Sequence, residues 1–175
     1  MLEGHFTLSS GLHSGRYFQC ALLFEDPHVG RRLTEALAQT VQRAGAVPDK
    51  VVGVALGGML VGHELAAALR VPSVFVERSE GKMALRRGFQ IKPGERVLIA
   101  EDVVTTGGSS SEAAEVVHRL GGNVIGQAAL LHRTLGPLAL NVPLYSLLEI
   151  DVESWPAEQC PLCRRGMPIS KPGSR

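Results

Sequence analysis

The chain has 175 residues, 45% hydrophobic and 20% charged, enough for one unit with a sizeable core. Its 18 Lys and Arg nearly balance 17 Asp and Glu, and a net charge of +1 gives no nucleic-acid footprint. No apolar run approaches the roughly 18 residues that span a bilayer, no signal-peptide pattern opens the chain, and three cysteines make no disulfide framework, so a cytoplasmic setting is expected.

The first stretch carries Phe6-Thr7-Leu8-Ser9-Ser10-Gly11 and Ser14-Gly15-Arg16-Tyr17-Phe18. An aromatic pair beside Ser and Gly offers a planar ring a wall to stack on and backbone amides for its edge. Asp26-Pro27 then reads as an N-cap with a first-turn proline. Val29, Leu33, Leu37, Val41 and Ala44 recur at helical spacing as far as Gly45, a natural stop. Lys50 to Ala55 reads as a strand, and Leu56-Gly57-Gly58-Met59 opens the next helix, with Leu60, Glu64, Leu65, Ala68 and Leu69. Two glycines there let backbone amides approach an anion, although a plain strand-to-helix turn has the same pattern.

Ser73 to Val76 is a further strand. The segment 78–92 follows, with Arg78, Lys82, Arg86, Arg87 and Lys92 against the single acid Glu80, and Gly81 and Gly88 as candidate hinges. Alone it would pass for a solvated basic loop. Between two strands of a sheet it reads as a lid whose cations neutralise a leaving anion and keep water out.

Residues 97–110 are the most informative part of the chain. An apolar strand, Arg96 to Ala100, is followed by the adjacent carboxylates Glu101 and Asp102, then Val103-Val104 and Thr105-Thr106-Gly107-Gly108-Ser109 before a helix. Such a turn aims N–H groups and hydroxyls at one point beside a helix N-terminus, which suits a phosphate monoester. The carboxylates suit the hydroxyls of a ribose, so a ribose 5-phosphate site is expected. No Lys follows the glycines as in a Walker loop, and no Gly-x-Gly-x-x-Gly is present. Ser109-Ser110-Ser111-Glu112 fits a capping box, Ala113, Val116, Val117 and Leu120 supply an apolar face, and Gly121-Gly122 ends the helix.

Asn123 to Leu131 and Leu144 to Ile150 read as the last strands, with Arg133 at the end of the first. The tail from Trp155 looks like a separate cap or arm. Cys160-Pro161-Leu162-Cys163 has the spacing of half a zinc site, and Cys20 or a second chain are sources of further ligands. Two ordinary thiols in a turn is the favoured reading. His63, His118 and His132 fall inside expected elements and His5, His13 and His28 outside them, with no spaced metal cluster. The alternation of strands and helices implies an α/β fold, a parallel sheet flanked by helices, with ligands at the carboxyl ends of the strands.

The stretch 98–110 resembles the signature of phosphoribosyltransferases that use phosphoribosyl pyrophosphate. The segment 6–18 resembles the hood of the orotate phosphoribosyltransferase family, and the likeness covers roughly residues 5–150. It implies a type I phosphoribosyltransferase fold as a single unit over 1–175, with a hood from about 1–25 and an arm from about 151–175. The implied reaction moves the phosphoribosyl group to orotate, giving orotidine 5-phosphate for pyrimidine biosynthesis. Carried over by position, Glu101 and Asp102 would bind the ribose hydroxyls. Val103, Val104, Thr105, Thr106, Gly107, Gly108 and Ser109 would cradle the donor phosphate. Thr105, Tyr17 and Phe18 would face orotate, whose carboxylate Arg133 would hold. Arg78 and Lys82 would contact pyrophosphate, with Lys82 and Asp102 in the catalytic roles. Mg²⁺ is implied through substrate oxygens and waters near Glu101 and Asp102, with no direct protein ligand, and a homodimer is implied as well. The sequence departs from the family pattern at Ser9, Gly57, Ser79 and Ala84, where lysines and a histidine are common. Two alternatives stay open: a purine or xanthine phosphoribosyltransferase, and a non-catalytic regulator of the same fold.

Overall fold

The computed structural model describes residues 1–8, 10–134, 138–139 and 141–172. In chain order the elements are β1 (Leu2–Thr7), β2 (His13–Tyr17), a 3₁₀ turn (Cys20–Phe24), α1 (Pro27–Arg43), β3 (Lys50–Val54), α2 (Gly57–Leu69), β4 (Ser73–Ser79) and β5 (Lys82–Leu85). Then come β6 (Arg96–Val104), α3 (Gly108–Arg119), β7 (Asn123–Thr134), β8 (Leu144–Asp151), β9 (Ser154–Trp155), a second 3₁₀ turn (Ala157–Gln159) and α4 (Pro161–Arg164).

Six strands form one sheet in the order β5-β4-β3-β6-β7-β8. All neighbours are parallel except β4 and β5, which form a hairpin. Period-two alternation divides the core between the two faces. Val97 and Ile99 pack with Val52, Val76 and the α3 residues Ala113 and Val117, whereas Leu98 and Ala100 pack with Val51, Leu37, Val41 and Leu65 of α1 and α2. These side chains are almost fully buried, each contributing about 1.5–3 kcal/mol against exposure.

The Asp26 carboxylate accepts the His28 N–H at 2.8 Å, the cap expected for α1. The capping box expected at Ser109–Glu112 does not form. Gly107, at φ 75° in the left-handed region, is the N-cap of α3 without a side-chain bond. Ser110 and Glu112 turn away to Glu101 and Arg78 instead. Strand β6 also runs past its expected end at Ala100, because pairing with β7 continues through Glu101, Val103 and Val104. The acidic pair therefore lies within a strand. Residues 82–85 of the expected lid are strand β5, and Glu80 and Gly81 make the tight positive-φ turn before it.

A second, three-stranded antiparallel sheet, β1-β2-β9, joins the two ends of the chain. The arm returns along β1: the Ser170 N–H donates to the His5 carbonyl and the Thr7 N–H to the Ser170 carbonyl, both at 2.9 Å. Among the described residues, no helix is long and apolar enough to cross a membrane.

Candidate active site

The carboxyl ends of β3, β6 and β7 open into a cleft of two lobes, about 520 and 540 Å³, that share Val54, Ala55, Leu56, Glu101, Val103, Thr105, Ser109 and Lys171. One lobe lies under the hood and adds Tyr17, Phe18, Asp102 and Arg133. The other lies over the start of α3 and adds Arg78, Val104, Thr106, Gly107 and Gly108. All the residues assigned to the substrates therefore converge here except Lys82, and the other lid cations, Arg86, Arg87 and Lys92, also line neither lobe. Lys82 is exposed beside the β4–β5 turn. Ser9 of the hood pattern lies outside the described residues.

The floor of the cleft is set by close backbone approach. Helix α2 lies so near the sheet that a Cβ on Gly58 would strike the Ala100 carbonyl, and one on Gly57 would fall on the Asp102 carboxylate. Gly57 thus stands against the acidic pair because a side chain there has no room. The Asp102 carboxylate accepts its own neighbour's amide, Val103 N–H, at 2.9 Å. Burial raises its carboxyl pKa, opposed in part by that bond. Burial likewise pushes Glu101 up to about 7, with the Asp102 charge adding to it and the Ser110 hydroxyl, which donates to Glu101, acting against it. Two half-buried acids whose charged forms lack a partner cation suit a ligand that brings hydroxyls or a cation.

Around the phosphate end, Thr105 to Ser109 form the turn into α3, with the helix N-terminus facing the lobe. The Arg78 guanidinium enters from β4. It donates to Glu112 at 2.6 Å and to the Gly81 carbonyl at 3.2 Å. Arg87 is occupied elsewhere, bidentate on Glu77 at 3.0 and 2.9 Å and 5.5 Å from the Phe75 ring. Arg86 donates to the Ser79 hydroxyl at 3.2 Å. Arg78 is accordingly the hairpin arginine set at the cleft.

Under the hood, Arg133 is 2% exposed. One of its terminal nitrogens donates to the hydroxyls of Ser14 (2.6 Å) and Ser154 (2.7 Å) and to the Glu153 carbonyl (3.3 Å). Its Nε–H has no hydrogen-bond partner among the described residues. An unspent donor on a buried guanidinium beside a cavity fits an incoming carboxylate. Tyr17 packs against Phe6 with ring centroids 5.7 Å apart, and burial and the nearby Asp102 raise its phenol pKa.

Sequence reasoning missed Lys171. It lies in the arm, yet the pairing of Ser170 with β1 carries it to both lobes. Only the fold brings that tail to the cleft, and no local pattern around Lys171 signals it. The sequence shows no spaced metal cluster among the histidines, yet two of them meet two cysteines in space. His5 and His13 meet Cys160 and Cys163, with one ligand atom of each within 4.8 Å of all the others. The four residues come from opposite ends of the chain, and spacing along the sequence hides their proximity.

The phosphoribosyl transferase domain model matches residues 22–160. A protein named orotate phosphoribosyltransferase from Carboxydothermus hydrogenoformans is 49% identical over 175 residues, covering 100% of this chain and 92% of that one. Another of the same name from Thermotoga maritima is 46% identical with the same coverage. The solved orotate phosphoribosyltransferase from Aeropyrum pernix superposes with a TM-score of 0.69 at 28% identity, over 85% of this chain and 87% of that one.

Proposed function

We propose, for a chain that belongs to the phosphoribosyl transferase family, the transfer of the phosphoribosyl group from phosphoribosyl pyrophosphate to orotate, releasing pyrophosphate and orotidine 5-phosphate. The fold is that of the type I phosphoribosyltransferases. The observation that carries the assignment of the site is the two-lobed cleft, with an acidic pair where the lobes meet, a phosphate turn on one side and a buried, partly unspent arginine under an aromatic hood on the other.

The donor's 5-phosphate sits in the turn Thr105–Ser109, and its ribose hydroxyls meet Glu101 and Asp102. Arg78 leaves Glu112 for the pyrophosphate, which Lys171 also approaches. Orotate stacks under Tyr17 and Phe18 beside Thr105, with its carboxylate on Arg133. Orotate N1 then attacks the anomeric carbon as the bond to pyrophosphate breaks, through a transition state of oxocarbenium character. The protein has no covalent step to perform. It orients the two reactants and stabilises charge on the leaving group. Glu101 and Asp102, which form no three-ligand cluster with another acid, His or Cys among the described residues, fit a Mg²⁺ held through substrate oxygens and waters. When bound, that ion neutralises pyrophosphate charge.

Residues 1–175 act as one unit in this reading, the hood (1–25) and arm (151–175) closing the acceptor side. A homodimer is part of it. Leu22 is 62%, Leu56 68% and Leu60 49% exposed, on the 3₁₀ turn and the start of α2, which pack together. Lys82, which lines neither lobe of its own chain, would act across that interface on the partner's pyrophosphate. The test is to mix the protein with orotate, phosphoribosyl pyrophosphate and Mg²⁺ and follow orotate absorbance and pyrophosphate release. Equal loss and release is expected, and no release from a folded protein would overturn the proposal.

A further inference from the structure

We propose that His5 Nε2, His13 Nδ1 and the sulfurs of Cys160 and Cys163 form a tetrahedral site for a divalent cation of the zinc class, fastening the C-terminal arm to the N-terminal hairpin. Four of the six ligand-to-ligand distances are those of such a site, and all six lie within 4.8 Å. Tetrahedral zinc with ordinary bond lengths puts ligands about 3.3 Å apart for two nitrogens and about 3.6 Å apart for nitrogen and sulfur. Here the nitrogens are 3.1 Å apart, His5 Nε2 is 3.5 Å from Cys160 Sγ and 3.6 Å from Cys163 Sγ, and His13 Nδ1 is 3.3 Å from Cys163 Sγ.

The orientation of His5 agrees. Its Nδ1 lies 2.9 Å from the Met167 carbonyl, which can only accept, so Nδ1 carries the ring proton and Nε2 points a lone pair at the cluster. A hydrogen-bonded cluster without a cation accounts for the His5–His13 contact with one proton from His13. It then leaves two sulfurs as weak partners of nitrogens already engaged. The donor set also selects the ion: two thiolates with two imidazoles favour zinc over magnesium or calcium.

The fold gives such a staple a purpose. His5 is 3% and His13 9% exposed and Cys160 fully buried, yet the rest of the arm past Trp155 is largely exposed. Strand β9 is only two residues long, and Phe6, Leu8 and Val152, the buried apolar side chains near this sheet, belong to neither of the two main core clusters. Units with so little core are commonly held by metal or disulfide. The chain leaves α4 through Met167, pairs Ser170 with β1 and delivers Lys171 to the cleft. The cation thereby positions the arm's lysine, while the metal site itself does not depend on which base the cleft accepts.

The full chain, purified in chelator-free reducing buffer, is assayed for metal content and free thiols, then depleted of metal and titrated with Co²⁺. One zinc per chain, three reduced thiols and the visible spectrum of tetrahedral thiolate-bound cobalt are expected. In Cys163→Ser, cation affinity falls by more than about tenfold, as loss of a ligand exceeds loss of an outer partner. Metal removal should expose the segment 156–170 to protease in the wild-type protein. A folded chain with no stoichiometric metal and no tetrahedral cobalt spectrum overturns the site. Recovery of Cys160 and Cys163 as a disulfide does the same. Unchanged proteolysis after metal removal overturns the fastening role.

Discussion

The two lobes of the cleft are built in opposite ways. The donor lobe comes mainly from one stretch, Glu101 and residues 103–109, spanning the half-buried end of a central strand and the start of the helix that follows. The acceptor lobe is assembled from pieces far apart in the chain: Tyr17 and Phe18 from the hood, Arg133 at the end of β7, and Lys171 from the arm. Even the hold on Arg133 is non-local, since Ser14 and Ser154 lie 119 and 21 residues away. A contiguous site inherits the rigidity of its sheet, whereas a composite one depends on how its pieces are fastened.

That contrast can be broken by mutation. Asp102→Asn strikes the acidic pair where the two lobes meet and the sugar is placed. Turnover should fall on the order of 100-fold, with weaker donor binding and an unchanged thermal midpoint. Arg133→Ala should raise the orotate KM by roughly 10- to 100-fold, the worth of a charge-assisted bond of about 1.5–3 kcal/mol, and leave the donor KM within a few-fold. It should also lower the melting temperature, because Ser14 and Ser154 lose a shared buried partner. If the orotate KM stayed put, the acceptor assignment would be wrong. Lys171→Ala should raise the donor KM by several-fold, the effect of one exposed cation near a phosphate; no change would remove the arm from the site.

The smallest effect concerns pH. Glu101, raised to about 7 from 4.5, favours the protonated form in the folded chain. Its contribution to stability is therefore complete below about pH 4.5 and is lost as pH rises through about 7. Donor binding needs the carboxylate and runs the other way, tightening across that same window. Titrating donor affinity between pH 6 and 8 in wild type and Glu101→Gln checks this, and the variant should lose most of the slope.

How much was legible follows the same division. The order of the central strands and of the three long helices could be read from period-two and helical patterns, since Val97 to Ala100 and the α1 stripe are buried as their spacing demands. The strand-acids-turn run announces its chemistry because the reacting groups are neighbours in sequence. The hood hairpin was invisible as strands: β1 and β2 mix Gly, His and Ser, and only pairing with β9 and the returning arm makes them a sheet. Strand β5 was hidden by the basic residues around it, for Lys82 and its neighbours read as a lid until β4 supplies a partner. The Ser109–Glu112 capping box failed for a local reason, since the helix begins earlier, at Gly108 after the Gly107 N-cap, and Glu112 pairs with Arg78. Cys160 and Cys163 carried half a signal, and the missing half was at the other end of the chain.

The central claim is that a generic donor lobe is made specific by the hood above it. The most direct test supplies phosphoribosyl pyrophosphate and Mg²⁺ with orotate, uracil, xanthine, hypoxanthine or adenine in parallel and measures the nucleotide formed. The account predicts product with orotate alone. Turnover of a purine in its place would leave the donor lobe standing and contradict the assignment of Tyr17, Phe18 and Arg133 to the acceptor.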